Sequence, residues 1–349
     1  MRNAITFIVA AALVLAGGYG LAAACSTFCL EGNESLVFGK NYDWNVSDCL
    51  VMVNPSGVAK IANVENHPAR WTSRWGSVTF NQYGREYPCG GMNEAGLVIE
   101  LLWLDETDYP AADARAAVPS LQWIQYQLDN SATVDEVLAS DSRIRIEGKA
   151  GRIHFLVADA RGATAAVEFI GGELVAHVGE SMPHRALTND TYEKSLSYFL
   201  SGERTRSRSS LDRFALAADR AASYSAENDG DPISYAFATL DTVAQGSHTQ
   251  WSIVYDIGAR RVYARTQRNR AIRHLDLTRL DFSCEKPAQV VDLQAPFEGD
   301  LRPHLRPYTT ADNFELMRNA FAATRFLAHI PQEEIRVAAQ YPETISCSP

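Results

Sequence analysis

The sequence predicts an α+β protein in which two antiparallel β-sheets pack face to face with helices on their outer surfaces. Strand-like segments come in a run, helical blocks follow and strands then return, an order that differs from the strict alternation of a parallel α/β sheet. Apolar residues make up 46% of the 349 residues and charged residues 21%, as in globular proteins. No Pro/Ser-rich linker interrupts the chain, so we expect residues 25–349 to form a single domain.

The first third of the chain is predicted to consist mainly of strands. Apolar residues alternate or cluster in short runs bounded by Gly, Pro, Asn and Asp, a pattern typical of strands and turns. Residues 90–96 are predicted to form a turn, and the nearly continuous apolar run 97–104 predicts a strand buried on both faces. The other predicted strands are residues 25–30, 35–40, 50–53 and 75–81, followed later by two hairpins, 153–158 with 165–170 and 250–255 with 261–266.

Helical periodicity appears in the middle of the chain and near its end. Leu121, Ile124 and Leu128 are spaced as on one face of a helix. Thr133 and Glu136 match the capping-box pattern with which a helix begins. Further helices are predicted at residues 211–222, 233–243 and 311–328.

The first 24 residues have the features of a secretory signal peptide. A positive charge precedes an apolar run, residues 5–15, that is too short to span a membrane, and Ala22 and Ala24 fit the small-residue rule for cleavage. We therefore expect signal peptidase to remove residues 1–24, the protein to be exported to the periplasm or the extracellular space, and Cys25 to become its first residue. The alternatives are a retained membrane anchor and a lipid-anchored periplasmic binding protein with Cys25 acylated. The lipoprotein signal usually has Leu where this chain has Ala22.

The composition argues against several partners and cofactors. The net charge of −10 and the pI of about 5.3 do not suit a nucleic-acid partner. The sequence has no CxxC or Cys/His spacing typical of metal sites and no glycine-rich phosphate loop, so we expect no metal and no cofactor. Cys284 and Cys347 flank the C-terminal tail and could join it to the body of an exported protein. Cys29, Cys49 and Cys89 are odd in number, so one of these thiols is expected to stay free.

A free N-terminal Cys25 would combine a nucleophile and a base in one residue. A thiol has a pKa of about 8.5 and is mostly protonated at neutral pH, so it needs a base. An α-amino group has a pKa of about 7.7–8.0, and a useful fraction of it is neutral near neutral pH. It lies two carbons from the sulfur, where it can take the thiol proton and later give a proton to a leaving amine. In the precursor this nitrogen belongs to an amide, so export and activation would be the same event.

Three later residues have the chemistry that acyl transfer also needs. Asp43 could accept a hydrogen bond from the α-ammonium, Asn189 could donate an amide N–H to an oxyanion, and Arg213 could favour the thiolate. Each has an ordinary alternative: Asp43 and Asn189 are common turn residues, and Arg213 lies in a predicted helix, where most arginines face solvent. The sequence alone does not bring the three residues together.

Six short motifs occur in a fixed order along the chain. They are Cys-Ser-Thr at residues 25–27, Phe-Gly-Lys-Asn-Tyr-Asp at 38–43, Gly-Met-Asn-Glu-Ala-Gly-Leu at 91–97, Leu-Thr-Asn at 187–189, Ser-Ser-Leu-Asp-Arg-Phe at 209–214 and Trp-Ser-Ile-Val-Tyr-Asp at 251–256. Together they resemble the choloylglycine hydrolase and penicillin V acylase family of N-terminal-nucleophile hydrolases. Each motif is weak alone, whereas six in order are specific.

This resemblance implies a fold and a set of roles. The fold would be a four-layer αββα sandwich, and the activity would be hydrolysis of a linear amide through a thioester intermediate. Cys25 would be the nucleophile and Asp43 the partner of its α-amino group. Asn189 would be a side-chain donor to the oxyanion, and Arg213 a charge near the sulfur. Members of the family are often tetramers, so the resemblance allows a homo-tetramer.

Two positions depart from the family pattern. Lys40 stands where the family usually has Arg, and lysine keeps the charge without the bidentate guanidinium group. Trp103 stands where bile-salt hydrolases have Asn. Its backbone N–H can still serve an oxyanion hole, and its indole would make the acyl pocket apolar and aromatic, unless Trp103 is simply core on a buried strand.

The predicted substrate follows from Trp103 and from export. Both favour a small-molecule acyl amide such as penicillin V or an N-acyl homoserine lactone. The alternatives within the family are a conjugated bile salt hydrolase and a member that has lost activity, which Lys40 would permit.

Overall fold

Two large β-sheets pack face to face between helices in the computed structural model, which describes residues 25–32, 36–148, 151–205 and 207–348. The predicted signal peptide lies outside the described residues. The strands are β1 Ser26–Glu31, β2 Leu36–Asp43, β3 Leu50–Asn54, β4 Val58–Ile61, β5 Arg70–Thr72, β6 Ser77–Asn81, β7 Pro88–Asn93, β8 Val98–Trp103, β9 Ala116–Pro119, β10 Ile144–Glu147, β11 Ile153–Ala158, β12 Thr164–Ile170, β13 Glu173–Val178, β14 Ala186–Leu187, β15 Thr249–Asp256, β16 Arg261–Thr266, β17 Arg273–Asp276, β18 Gln289–Asp292, β19 Gly299–Asp300, β20 Arg306–Pro307 and β21 Ser346–Cys347. The α-helices are α1 Ser120–Asn130, α2 Val134–Ala139, α3 Tyr192–Ser201, α4 Ser210–Ser223, α5 Ala226–Asp229, α6 Pro232–Thr242, α7 Thr310–Ala323 and α8 Gln332–Ala339.

The two sheets and their helices form four layers. Sheet A has the strand order β14-β1-β2-β15-β16-β17-β19, and sheet B has the order β13-β12-β11-β8-β7-β6-β3-β18-β20. Neighbouring strands are antiparallel throughout, except for the parallel pair β17 and β19. Helices α4 and α6 pack on sheet A, and α1 packs on sheet B against β7 and β8. This arrangement confirms the predicted αββα class.

The strand predicted to be buried on both faces is β8. It lies in the middle of sheet B, and five of its six residues are buried. Helix α1 packs against it, and the Glu100 side chain accepts a hydrogen bond from Tyr255 of sheet A at 2.5 Å. Because neither face meets water, seven of the eight residues in the run 97–104 are apolar, and the one charged residue, Glu100, is buried with a hydrogen-bond partner.

Residues 90–96 do not form the predicted turn as a whole. Gly90 and Gly91 belong to β7, and the turn is confined to the residues that follow Asn93. A Cβ atom on Gly91 would lie 2.5 Å from the carbonyl oxygen of Val78 on the adjacent strand β6. These glycines therefore permit close approach within a sheet, a role that a sequence pattern does not distinguish from a turn.

The helix predicted at residues 311–328 is shorter than expected. Helix α7 ends at Ala323, and a second helix, α8, begins after Pro331. Thr324 is buried, and its hydroxyl lies 3.0 Å from the hydroxyl of Tyr83 on the body of the protein. This tertiary contact accompanies the helix end, and the sequence contains no Gly or Pro there to mark it. Helices α3 and α8 were not anticipated from the sequence.

A disulfide joins Cys284 to Cys347, the pair that flanks the tail. The 63-residue separation between the two cysteines encloses α7 and α8. The other four cysteines of the described chain, Cys25, Cys29, Cys49 and Cys89, are free and buried. One free thiol was expected among Cys29, Cys49 and Cys89, whereas all three are unpaired.

In the described part of the chain, we find no helix long and apolar enough to cross a bilayer.

Removing this disulfide is expected to lower the free energy of unfolding by about 2–4 kcal/mol, because the unfolded chain regains the freedom of a long closed loop. The measurement is urea unfolding of the Cys284→Ser/Cys347→Ser double variant beside the native protein. A reductant should destabilise the native protein to the same extent and leave the double variant unchanged. Equal midpoints for native and double variant would contradict the prediction.

Candidate active site

Cys25 lies directly before β1 and is buried, with 2% of the residue exposed. Strand β1 pairs antiparallel with β2, so the start of β1 lies beside the end of β2, which carries Asp43. On its other side β1 pairs antiparallel with β14, whose end leads to Asn189. The pairing of sheet A thus brings together candidates from three distant segments.

Asp43 is buried beside Cys25 and is only partly satisfied. Its backbone N–H donates a hydrogen bond to the Cys25 thiol. Its Oδ1 accepts a hydrogen bond from the Thr249 hydroxyl at 2.5 Å, and Thr249 stands opposite Asp43 in the pairing of β2 with β15. Its Oδ2 is buried and finds no hydrogen-bond partner among the described residues. Burial raises the pKa of Asp43 to about 6, and Thr249, Arg213 and Lys40 offset part of this effect.

Arg213 points from α4 into the site instead of facing solvent. Its exposed fraction is 3%, because α4 packs against β1. Its Nη1 donates to the carbonyl oxygen of Cys25 at 2.6 Å and to the Ser26 hydroxyl at 2.7 Å, and its Nη2 donates to Oδ1 of Asn189 at 2.9 Å. The guanidinium group therefore fixes the backbone of Cys25 and the side chain of Asn189 at once.

The Asn189 side chain is fixed from both ends. Its Oδ1 accepts from Arg213, and its Nδ2 donates to the carbonyl oxygen of Trp103 at 2.8 Å. Its backbone N–H donates to the Ser210 hydroxyl at 2.8 Å, at the start of α4. These contacts settle which end of the amide is the nitrogen, and the second N–H of Nδ2 is the one that a ligand could use.

Lys40 lies between the two sheets and is fully buried. Its Nζ donates to the carbonyl oxygen of Leu101 on β8, so the lysine connects sheet A to sheet B. Close to it, burial raises the pKa of Glu100 to about 7, and the Lys40 charge and the Tyr255 hydroxyl offset part of this rise. Where the family pattern has the bidentate guanidinium group of arginine, Lys40 thus offers a single-point contact.

Burial also raises the pKa of the Cys25 thiol above its ordinary value. The charges of Lys40 and Arg213 and the N–H of Asp43 act in the opposite direction, and the Asp43 carboxylate adds to the rise. Because desolvation is the largest of these effects, the thiol is mostly protonated near neutral pH, and it would need a base next to the sulfur to act as a nucleophile.

A cavity opens from Cys25 and Asp43 between the two sheets and the C-terminal helices. Trp103 is half-buried on its wall, with its ring centroid 6.2 Å from that of Trp44 and its Nε1 donating to Asp105 at 2.7 Å. The side chain is therefore part of the cavity wall and not sealed in the core. The remaining lining is mostly apolar or aromatic: Tyr42, Asn63, Tyr83, Tyr87, Leu101, Pro119, Ser120, Leu121, Gly151, Ile153, Met317, Phe321, Phe326, Leu327 and Ala338.

Several residues of the site were not found from the sequence. Trp44 directly follows the motif at 38–43, and Thr249 lies two residues before the motif at 251–256, so proximity to a motif was the only available signal. Tyr83 and the cavity residues of the C-terminal helices had none, because they lie far from every motif in sequence and meet the cavity only through packing.

Comparison with known proteins identifies the family. A sequence model of the linear amide C–N hydrolases, choloylglycine hydrolase family, matches residues 25–226. Penicillin V acylase from Pectobacterium atrosepticum is 28% identical over 201 residues, which cover 52% of this chain and 53% of that protein. The chain thus matches about half the length of this relative.

Two solved structures resemble the fold. Penicillin V acylase from Agrobacterium tumefaciens matches with a TM-score of 0.73 and 26% identity, covering 82% of this chain and 98% of the other. A variant of conjugated bile acid hydrolase from Clostridium perfringens matches with a TM-score of 0.65 and 18% identity, covering 76% and 96%, which supports the fold alone. With a family model that matches more than half of its residues, this chain belongs to the choloylglycine hydrolase family of linear amide C–N hydrolases.

Proposed function

We propose that the protein is an exported amidohydrolase that begins at Cys25 and cleaves the linear amide of an apolar acyl compound, such as penicillin V or an N-acyl homoserine lactone. The observation that carries this proposal is the buried Oδ2 of Asp43, which no described residue satisfies. A buried carboxylate is costly unless it is paired. Cleavage before Cys25 by signal peptidase would place an α-ammonium group on the neighbouring residue, where it can pair with this oxygen.

The first half of the reaction forms a thioester. The neutral α-amino group of Cys25 takes the thiol proton, and the sulfur attacks the carbonyl carbon of the substrate amide. The tetrahedral intermediate then collapses as the C–N bond breaks, and the leaving amine takes the proton from the α-ammonium. Asp43 accepts a hydrogen bond from the α-ammonium and orients it toward the sulfur.

The second half returns the enzyme to its starting state. The α-amino group takes a proton from water, and the resulting hydroxide attacks the thioester carbon. The C–S bond breaks, the carboxylic acid leaves, and the thiolate recovers the proton from the α-ammonium. Arg213 keeps the backbone of Cys25 in place through both halves.

Two N–H groups are suited to bind the oxyanion. One is the second N–H of Asn189 Nδ2, whose first N–H is used by the carbonyl of Trp103. The other is the backbone N–H of Trp103. The backbone N–H of Leu104 donates to the carbonyl oxygen of Arg152, at the end of the pairing of β8 with β11. Because N–H directions alternate along an antiparallel strand, the N–H of Trp103 is directed away from β11.

The cavity favours an apolar acyl group. Trp44 and Trp103 form an aromatic wall, and Leu101 and Ile153 contribute aliphatic surface. An aryl ether such as that of penicillin V, or an alkyl chain such as that of an acyl homoserine lactone, matches this surface. The hydroxyl groups of a conjugated bile acid would find fewer polar partners there.

The test compares turnover of penicillin V, a long-chain N-acyl homoserine lactone and glycocholate by the exported protein. We expect hydrolysis of at least one of the first two and little of the third. Preference for glycocholate would replace the proposed substrate by a conjugated bile salt, and no turnover of any amide would favour a member of the family that has lost activity.

Mass spectrometry of the mature N-terminus tests the maturation step. The proposal requires a free α-amino group on Cys25. A diacylglyceryl adduct would indicate the lipid-anchored binding protein instead, and a chain that keeps residue 24 while cleaving amides at full rate would refute the proposed base.

The pH dependence of stability is expected to differ between unprocessed and processed protein. In the full chain the Cys25 nitrogen is an amide, and burial raises the pKa of Asp43 to about 6. The folded state therefore holds this proton more tightly than the unfolded state, so the free energy of unfolding should fall as pH rises from about 4 to about 6, by up to about 3 kcal/mol. In processed protein the α-ammonium stabilises the carboxylate, and the fall should be smaller.

Urea unfolding between pH 4 and pH 7 measures this difference, with Asp43→Asn in the full chain as the control that lacks the titrating group. The same pH dependence in the native full chain and in the control would show that other groups cause it.

A further inference from the structure

We propose that the connector between α7 and α8, residues 324–331, is the outer wall of the acyl pocket and that Phe326 and Leu327 select substrates by the length of the apolar acyl chain. The inference rests on the proposed function, since it assigns the acyl specificity of the same site. It concerns a part of the chain that lies beyond the residues matched by the family model.

The connector meets the cavity directly. Phe326 and Leu327 line the same cavity as Cys25, and the Phe326 ring centroid lies 6.2 Å from that of Trp103. Trp103 in turn stacks against Trp44, so three aromatic rings follow one another from the body of the protein to the connector. Phe326 is 38% exposed, which is high for a phenylalanine and places it at the rim where the cavity meets solvent.

The connector is fixed to the body of the protein at the cavity. The Tyr83 hydroxyl lies 3.0 Å from the Thr324 hydroxyl and accepts a hydrogen bond from Nε1 of Trp44 at 2.7 Å. The Thr324 carbonyl accepts from the backbone N–H groups of Leu327 and Ala328 at 2.8 and 2.9 Å. The Tyr83 hydroxyl therefore connects Trp44 of the aromatic wall to Thr324 of the connector through hydrogen bonds.

The helices on either side of the connector are anchored independently of Phe326. Oδ1 of Asn313 in α7 accepts from the backbone N–H of Arg85 at 2.7 Å, and its Nδ2 donates to the carbonyl of Ala339 in α8 at 2.9 Å. The Cys284–Cys347 disulfide closes the segment that contains both helices. Truncating Phe326 should therefore remove wall surface and leave the rest of the wall in position.

Chain length decides whether a substrate reaches this wall. The carbonyl carbon of the substrate must lie at the Cys25 sulfur, so a short acyl group ends near Leu101 and Trp103, and a longer chain extends toward Phe326 and Leu327. Each additional methylene removed from water improves binding by about fourfold. The long chain also covers the exposed face of Phe326.

The experiment measures kcat and KM of Phe326→Ala and Leu327→Ala for N-acyl homoserine lactones from hexanoyl to dodecanoyl. We expect kcat/KM for the dodecanoyl substrate to fall at least about tenfold, mainly through KM, with less than about a twofold change for the hexanoyl substrate. Phe314→Ala is the matched control, because Phe314 lies on α7 against the Arg336 guanidinium and does not line the cavity. Equal effects at every chain length, or none, would overturn the proposal.

Direct binding separates this inference from the proposed function. Calorimetric titration of the native protein with dodecanoate and hexanoate needs no turnover. If the protein cleaves none of the amides but Phe326→Ala weakens dodecanoate binding selectively, the wall is supported and the proposed reaction fails. A different outcome is that amides are cleaved but the variants change neither the dependence of kcat/KM on acyl chain length nor dodecanoate binding. The proposed reaction would then stand, and the role of Phe326 and Leu327 in selecting chain length would be refuted.

Discussion

Replacing Cys25 with serine is expected to reduce hydrolysis of the acyl amide at least about a thousandfold, as removal of a nucleophile does in other acyl-transfer enzymes. A hydroxyl has a much higher pKa than a thiol, so an α-amino group with a pKa near 8 produces far less of the attacking anion from serine than from cysteine. The serine hydroxyl can still accept the hydrogen bond that the Asp43 N–H now donates to the sulfur, so the fold should be retained.

The measurement is kcat for the best amide substrate, together with circular dichroism and the unfolding midpoint. Cys29→Ser is the matched control, because Cys29 is also a buried free thiol on β1 and does not line the cavity. It should keep the activity, whatever its effect on stability. Turnover by Cys25→Ser at a rate near that of the native protein would mean that another group attacks the amide.

Replacing Asp43 with asparagine is expected to lower kcat/KM by about a hundredfold to ten-thousandfold, the range seen when the group that orients a catalytic base is made neutral. The asparagine amide keeps the shape of the carboxylate but offers two N–H donors at one end. It cannot balance the charge of the α-ammonium at the position where Oδ2 has no hydrogen-bond partner in the described part of the chain.

A second readout distinguishes an electrostatic role from a structural one. A neighbouring carboxylate raises the pKa of an ammonium group, so its removal should lower the pKa of the Cys25 α-amino group. The acid limb of the kcat/KM profile should therefore move to lower pH in Asp43→Asn. Asp159→Asn is a suitable control, because Asp159 is also buried and accepts hydrogen bonds from backbone N–H groups in a loop away from the cavity. An unchanged pH profile with lower activity would indicate a structural role for Asp43.

The residues of the site differ in how much the sequence could say about them. Cys25 is recognisable because a short apolar segment and small residues precede it, which is a local pattern. Asp43, Asn189 and Arg213 are single polar residues whose local patterns fit turns and helices equally well. Only the order of the motifs around them, and the family resemblance it carries, singled them out. Their roles in catalysis stay predictions until the variants are measured.

Errors in the predicted elements have the same origin. A local rule predicts a turn from Gly90 and Gly91, yet both residues belong to β7. Glycine suits these positions because the carboxylate of Glu100 and the carbonyl of Val78 lie where side chains would be. Helix α7 ends at Ala323 beside the contact between Thr324 and Tyr83, residues that lie 241 positions apart. A local pattern carries no information about partners at such a distance.

The sequence by itself determined the layered α+β class, the main strands and helices, the family and the candidate nucleophile, because periodicity and motif order are properties of neighbouring residues. The tertiary structure alone decided that Arg213 turns inward to the Cys25 carbonyl, that one oxygen of Asp43 is buried without a partner among the described residues, and that the C-terminal helices complete the cavity. These features depend on the pairing of strands and the packing of helices from remote segments, and burial and hydrogen bonding are set only when those segments meet.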